Sequence, residues 1–359
     1  SLQGRASGSV TYVEQRGKPH FAVKVAKLRA AGRLRGVPFP LEVSRGEVEY
    51  AGERLEVRGI EGSAGRSRLQ GGAAEIVLGA APAVRSARGN FVAAFDELYP
   101  WLSSLDRLRK PLSGVTGVTG SAEVDLAQLS GLLAQPDAFD FEAVVRPKDL
   151  RISGAALPGT LTLASGVAKV TPRALQLDRL AASALDSRVA VSGTVHEYTS
   201  PSRRLELTLA DGGAGSQSLE WARARWALPA RMMPRAPVAL SSGRIEWSGA
   251  AGSPLLAQGT VGLAGGAQTE FDLSWQPGNL DVRRLTLKDA DSDVAVRLKW
   301  GPAIAEVGFS GRLDHRTLVG ILAEPPLTRA LLQGDFRAAF DLREPQRSTA
   351  TGRLEGEGI

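Results

Sequence analysis

The residues that most often carry chemistry in proteins are few in this chain and lie far apart. Its 359 residues include three histidines and no cysteine. His20, His196 and His315 have no second histidine or acid at the spacing of a metal-binding motif. Without cysteine there is no thiol nucleophile, no disulfide and no thiolate metal site. We therefore expect neither a metal nor a cofactor.

Paired carboxylates are the next candidates for catalysis. Asp289 and Asp291 could act as an acid and a base, as two carboxylates do in glycosidases. They lie between two strand-like runs, so we interpret them as a polar hairpin turn. No HExxH, GxSxG or phosphate-loop motif is present in the sequence. We expect that the chain is not an enzyme, and a carbohydrate-active enzyme on a β scaffold is the catalytic alternative.

Tryptophans and basic residues could bind sugars or nucleic acid. Three of the six tryptophans, Trp247, Trp275 and Trp300, lie in alternating strand-like runs, which favours packing or a lipid-facing wall. The other three are Trp101, Trp221 and Trp226. The formal charge is +6, but the arginines are scattered among acids and form no basic block. We expect no nucleic-acid partner.

The elements that position these residues are predominantly strands. Apolar and polar residues alternate with period two at Leu205–Leu209, Phe271–Trp275 and Val294–Trp300. Many of the 41 glycines lie between such runs, as expected for antiparallel strands joined by tight turns. A sandwich or small closed barrel would turn the apolar faces into a filled core, but only 6% of residues are aromatic. We predict a mostly β chain whose extended antiparallel sheet curves into an elongated open groove, with a few short amphipathic helices.

Internal repetition is the strongest organisational signal. Leu175–Gly193 resembles Leu280–Leu298, and Leu55–Gly71 is a third, more distant copy of this strand-turn-strand unit. We predict one continuous repeat array over residues 1–359, with approximate modules 1–110, 111–230 and 231–359. Both ends of the sequence are strand-like, so we expect it to be excised from a longer protein.

Short helices are predicted between groups of strands. Asp125–Leu133 and Asp314–Leu322 share an aspartate at a plausible N-cap followed by apolar residues at helical spacing. Further helices are predicted at Asp96–Leu108, at Ser218–Leu228 and near Pro326–Leu332. No run of about 18 apolar residues and no signal peptide is recognisable in the sequence.

In the order of these units the chain resembles the AsmA-like family of bacterial envelope proteins. The resemblance rests on Leu-x-Leu-x-x-Leu followed by Asp-Ser-x-Val-x-Val-x-Gly, and on the two Asp-x-x-x-Leu-x-Gly-[Leu/Ile]-Leu segments. It implies a periplasmic protein of a Gram-negative bacterium, anchored to the inner membrane by a segment absent from this chain. It also implies that a curved β-groove conducts phospholipid between the inner and outer membranes. The implied partners are phospholipid acyl chains and, through flanking regions, proteins of both membranes.

The groove-lining residues are predicted from the alternation of each strand. They are Val48, Leu55, Val57, Leu161, Leu163, Leu175, Leu177, Val189, Val191, Leu205, Leu207, Leu209, Phe271, Leu273, Val282, Val294, Val296 and Phe309. A one-residue slip in register would exchange the two faces of a strand. The alternative function is an envelope assembly scaffold or an autotransporter-like adhesin without lipid transport. Such a β-solenoid usually has a period of about 20 to 30 residues, several-fold shorter than the repeat in this chain.

Overall fold

The computed structural model describes residues 2–15, 18–33, 36–105, 109, 112–135, 138–324 and 331–357. The chain divides into two compact units, Ser1–Leu180 and Ala181–Ile359. Both consist mainly of antiparallel strands, and short helices interrupt them. The predicted fold class, a mostly β chain with an open antiparallel sheet and a few short helices, is confirmed. The three sequence modules remain a prediction.

Unit 1 contains nine strands and the first part of a tenth. They are β1 Leu2–Gln15, β2 Lys18–Gly32, β3 Leu41–Ala51, β4 Arg54–Ala64, β5 Ser67–Val77, β6 Ala83–Ala94, β7 Val115–Leu132, β8 Asp140–Gly154, β9 Leu161–Val170 and β10 Ala174–Ala184. The boundary between the two units falls within β10.

Unit 2 continues with ten further strands. They are β11 Ser187–His196, β12 Arg204–Ala214, β13 Val238–Ser248, β14 Leu255–Gly262, β15 Gln268–Gln276, β16 Asn279–Lys288, β17 Asp293–Trp300, β18 Ile304–Leu313, β19 Leu331–Asp341 and β20 Thr349–Glu357.

Within each unit, strands pair with their neighbours in sequence. In unit 1 the antiparallel pairs run from β1–β2 to β8–β9, and in unit 2 from β11–β12 to β19–β20. Short turns rich in Gly, Asp and Ser permit this meander, because antiparallel neighbours need no long crossover. Neither meander closes on itself.

The three sequence repeats form equivalent hairpins: β4–β5, β10–β11 and β16–β17. The two residues between the second and third apolar positions of Leu-x-Leu-x-x-Leu coincide with a β-bulge. The register shifts between Val57 and Ile60 in one copy and between Val282 and Leu285 in another. Because the bulge adds a residue, an apolar spacing of three keeps all three side chains on one face.

Three α-helices lie in the described part of the chain. They are α1 Phe95–Ser104, α2 Ser216–Trp226 and α3 His315–Ile321. They confirm the helices predicted near Asp96, Ser218 and Asp314, although residues 106–108 of the first prediction lie outside the described residues. Short 3₁₀ turns lie at Ala230–Met232, Ala264–Gly266 and Pro345–Arg347. Within the described residues, all helices are too short and too polar to cross a membrane.

The helix predicted at Asp125–Leu133 is wrong, because Asp125 to Leu132 continue strand β7. A register shift between Leu126 and Gln128 accommodates an extra residue. Leu126 and Leu129 therefore face the same side of a bulged strand, although their spacing of three is also typical of a helix. Of the helix predicted near Pro326–Leu332, residues 326–330 lie outside the described part, and Leu331 and Leu332 begin β19.

Candidate functional site

One face of unit 2 is apolar across all ten of its strands, β11 to β20. Two rows of directly opposed residues cross the whole unit. The central row is Val191, Leu209, Gly243, Gly259, Phe271, Leu285, Val296, Phe309, Phe336 and Gly352. The second row is Gly193, Leu207, Ile245, Ala257, Leu273, Val282, Leu298, Val307, Ala338 and Ala350. Neither row contains a polar or charged side chain.

Unit 1 has the same arrangement on one face. One row is Gly8, Val25, Val48, Val57, Ala74, Ala87, Leu129 and Phe141. A parallel row is Gly4, Ala30, Val43, Gly62, Leu69, Phe91, Val124, Val145 and Ala168. In each unit, the register of the strands brings residues that are distant in sequence together into one continuous apolar surface.

The opposite face of each sheet carries charged side chains that pair across strands. In unit 2, Arg283 contacts Asp272 at 2.7 Å and Arg284 contacts Glu270 at 2.8 Å. In unit 1, Lys169 contacts Glu142 at 2.6 Å. Exposed pairs of this kind add little stability, but they keep the charged face solvated. The alternation thus separates a water-facing side from an apolar side in both units.

In the described part of each unit, no second sheet of that unit packs over its apolar face. Among the described residues, no large side chain is fully buried, and most of the buried apolar residues are alanines and valines. The accessible surface is 22625 Å². Two separate globular units, each of half the mass of this chain, would expose only about 16,700 Å² in total. A filled sandwich core, the alternative considered from the sequence, does not match this exposure.

One end of the apolar face in unit 2 is closed by helix α3 and the turn Ala264–Gly266. A Cβ atom on Gly265 would lie 3.6 Å from Cα of Gly320, so the two elements are in close contact. Val294, Ala267 and Ile321 beside them are only 4%, 1% and 7% exposed. We call this region the closed end. It is where the side chains of unit 2 are best buried.

Turn residues of the repeated hairpins hold the N-termini of the helices. Ser67 Oγ accepts a hydrogen bond from the Ala94 N–H at the start of α1. Ser292 Oγ accepts one from the Asp314 N–H before α3 and bonds to the Thr317 hydroxyl at 2.6 Å. Thus the repeat includes a third strand and a helix as well as the hairpin, which the ungapped sequence comparison did not reveal.

In the middle copy of the repeat, Asp186 holds the N-terminus of α2. Its carboxylate accepts hydrogen bonds from the Gln217 N–H, the Ser218 N–H and the Ser218 hydroxyl. The Ser218 hydroxyl bond is the largest cause that lowers the pKa of Asp186 below its ordinary value of 3.8; desolvation opposes it and the backbone N–H bonds reinforce it. The charged form is therefore favoured in the folded state.

We expect Asp186→Asn to weaken the attachment of α2 in a pH-dependent way. A lowered folded-state pKa stabilises the fold above the unfolded value, and this stabilisation disappears as the pH falls through the folded-state pKa. At neutral pH the variant should unfold at lower denaturant concentration than the wild type, and the two midpoints should converge in acid. Denaturant titrations of both chains from neutral to acidic pH measure this. A difference that stays constant over that range would contradict the prediction.

Fifteen of the eighteen residues predicted to line the groove lie on these apolar faces. In unit 1, one face carries Val48, Leu55, Val57, Leu161 and Leu163. On that face Leu161 opposes Ile152, and Leu163 opposes Leu150. In unit 2, ten of them face the same side: Val191, Leu205, Leu207, Leu209, Phe271, Leu273, Val282, Val294, Val296 and Phe309. Val189 lies at a register shift next to Arg188, and Leu175 and Leu177 are half-buried alternate residues of β10. Contact with lipid remains a prediction for all of them.

Several members of the apolar face were not among the predicted residues. Ile245, Leu298 and Phe336 lie in the two rows, and Phe340 lies opposite Ala305 at their edge. The same period-two alternation would have found Leu298, Phe336 and Phe340, because their strands were recognised.

The histidines and paired acids lie on separate elements. His196 ends β11 and His315 begins α3, and the side chain of His20 lies outside the described part. Asp289 Oδ1 accepts hydrogen bonds from the N–H groups of Asp291 and Ser292, which makes these residues the turn between β16 and β17. In the part of the chain that the structure describes, His, Asp and Glu form no group of three suited to a metal.

The geometry supports binding of an extended apolar ligand. At about 4.8 Å per strand, the ten strands of unit 2 give a surface about 43 Å long, measured across the strands. Comparisons with protein-family models, curated proteins and solved structures found no match. The apolar surface is therefore the feature of this chain that points to a function.

Proposed function

We propose that the chain is a segment of a periplasmic lipid-transfer protein of the AsmA-like kind, which conducts phospholipid between the inner and outer membranes of a Gram-negative bacterium. One observation carries the proposal. In each unit one face of the sheet is apolar across consecutive strands, without a charged residue in its rows. The family resemblance adds the periplasm, with attachment to the inner membrane through a segment outside this sequence.

A continuous apolar row matters because exposing an acyl chain to water has an unfavourable free energy. Each CH₂ group kept from water contributes about 0.8 kcal/mol. A gap that exposes half of one tail would therefore cost several kcal/mol and trap the lipid on one side of it. The central and second rows pass from β11 to β20 without such a gap, so a lipid moving along them keeps its tail on an apolar surface.

The proposal is tested by native mass spectrometry with lipid extraction on the chain purified from a bacterial periplasm. We expect phospholipid to co-purify. Leu207→Asp places a carboxylate in the second row and should remove most of the bound lipid. The matched control is Thr208→Asp, since Thr208 is the next residue of β12, is exposed and opposes Arg244 on the charged face.

The control should fold and retain lipid as the wild type does. Circular dichroism checks that Leu207→Asp is still folded. A wild-type chain that stays free of lipid, also after incubation with phosphatidylethanolamine and phosphatidylglycerol vesicles, would contradict the proposal. That result would favour the envelope assembly scaffold.

A further inference from the structure

The apolar face of unit 2 differs at its two ends along the strand direction. At one end lie Trp275, Leu280, Trp300, Ala305 and Phe340, which oppose one another on β15 to β19 and are named here the aromatic rim. Trp275, Trp300 and Phe340 are 49%, 51% and 45% exposed. At the other end, Thr269, Leu287 and Val294 oppose one another beside the closed end.

The aromatic rim combines an apolar surface with free polar donors. Within the described residues, the indole N–H groups of Trp275 and Trp300 have no hydrogen-bond partner. Tryptophan prefers boundaries at which one side is apolar and the other is wet. The closed end differs in its large side chains: Val294 and Ile321 are 4% and 7% exposed there, whereas the small Ala305 is the buried member of the rim.

The distance between the two ends is somewhat longer than the acyl region of one bilayer leaflet. Thr269 and Trp275 are six residues apart on β15, which corresponds to about 20 Å of strand. The acyl chains of one bilayer leaflet span about 15 Å. A tail lying parallel to the strands from the aromatic rim therefore covers about three quarters of the distance to the closed end.

Unit 1 has the same polarity on its own apolar face. At one end Val10 and Tyr12 are 64% and 62% exposed, and Val10 opposes Val23, which opposes Tyr50. At the other end Ala93 and Ala122 oppose each other and are 2% and 0% exposed. Helix α1 begins two residues after Ala93.

We infer that each bound phospholipid lies along the strands, with its headgroup at the aromatic rim and its tail pointing toward the closed end. The indole N–H groups would donate to the phosphate or ester oxygens of the headgroup. The inference rests on the proposed function and adds the orientation of the lipid. It means that lipids move side by side along the sheet with all headgroups at the same rim.

The absence of cysteine allows a direct test with a single introduced thiol. Leu280→Cys places a fluorescent bimane label at the aromatic rim, and Leu287→Cys places it near the closed end of the same strand. Arg284→Cys is the control on the charged face. Each labelled chain is loaded with phosphatidylcholine that carries a nitroxide quencher, either on the headgroup or near the end of one acyl chain.

The headgroup nitroxide should quench the label at residue 280 about twofold more than the label at residue 287, because the two ends are about 20 Å apart. The tail nitroxide should give the reverse order, and the label at residue 284 should be quenched by neither. Leu255→Cys and Val261→Cys on β14, which oppose Trp275 and Thr269, repeat the comparison in case a variant on β16 fails to fold.

Equal or reversed quenching at the two ends overturns the inferred orientation but leaves the proposed function standing. An absence of quenching at both ends in folded chains overturns the orientation and the proposed function together.

Discussion

Val296→Asp is expected to slow phospholipid transfer between donor and acceptor vesicles about tenfold. Val296 lies in the central row between Leu285 and Phe309. A carboxylate there brings its hydration shell onto the apolar surface and displaces about two CH₂ groups of a passing tail, at about 0.8 kcal/mol each. About 1.4 kcal/mol corresponds to a factor of ten. A fluorescent-lipid transfer assay measures the rate.

The neighbouring residue supplies the control for this substitution. Ala295 is exposed, and it opposes Ser310 and Thr286 on the charged face. Ala295→Asp adds the same charge to the same strand and should leave the rate unchanged. If both variants slow transfer equally, the effect is one of net charge or stability, and the apolar row is not the path.

Gly193→Ala is expected to destabilise unit 2 by about 2–3 kcal/mol. Gly193 has a φ of 133°, which L-residues rarely adopt, and a Cβ there would lie 2.1 Å from the backbone oxygen of Glu206. Because that atom belongs to the neighbouring strand, the clash is relieved only by separating β11 from β12. Urea unfolding followed by circular dichroism measures the loss.

Gly262→Ala is the matched control for the glycine substitution. The nearest atom to a Cβ at this position is Ala239 Cβ at 3.7 Å, an ordinary van der Waals distance. The free energy of unfolding should change by less than about 0.5 kcal/mol. Similar losses in the two variants would contradict the clash between β11 and β12 as the cause.

Much of this architecture can be predicted from period-two alternation and internal repeats. The hairpins at Leu55, Leu175 and Leu280 are local structures, because tight turns and alternating side chains specify them within about 20 residues. The helix at Asp314 was also predictable, since the Asp314 side chain accepts the Arg316 N–H as an N-cap should.

The related segment at Asp125 shows the limit of such patterns. Leu126 and Leu129 fit a helix and a bulged strand equally well, and pairing with Ala143 and Phe141 of β8 decides for the strand. That pairing lies outside any local window of sequence. The hydrogen bonds that attach α1 to Ser67 and α2 to Asp186 were not predicted for the same reason, because the bonded residues are about 30 positions apart.

The candidate site was predictable as a face but not as a set of rows. Alternation assigns Phe271 and Leu273 to one side of β15, but only the register shows that Phe271 opposes Leu285. The aromatic rim depends on register as well: Trp275 and Trp300 are distant in sequence, and both oppose Leu280. Bulges set that register, and they carry little sequence signature beyond a glycine or a polar pair.

The neighbour-to-neighbour pairing of the strands also determines how the chain can fold. Each strand of unit 2 docks on the strand made just before it, as β17 does on β16 and β18 on β17. Short loop closures of this kind have a low entropic cost, so ordering can begin at any hairpin and spread by single strands. The emerging chain can therefore gain structure step by step during synthesis, before its last residues are made.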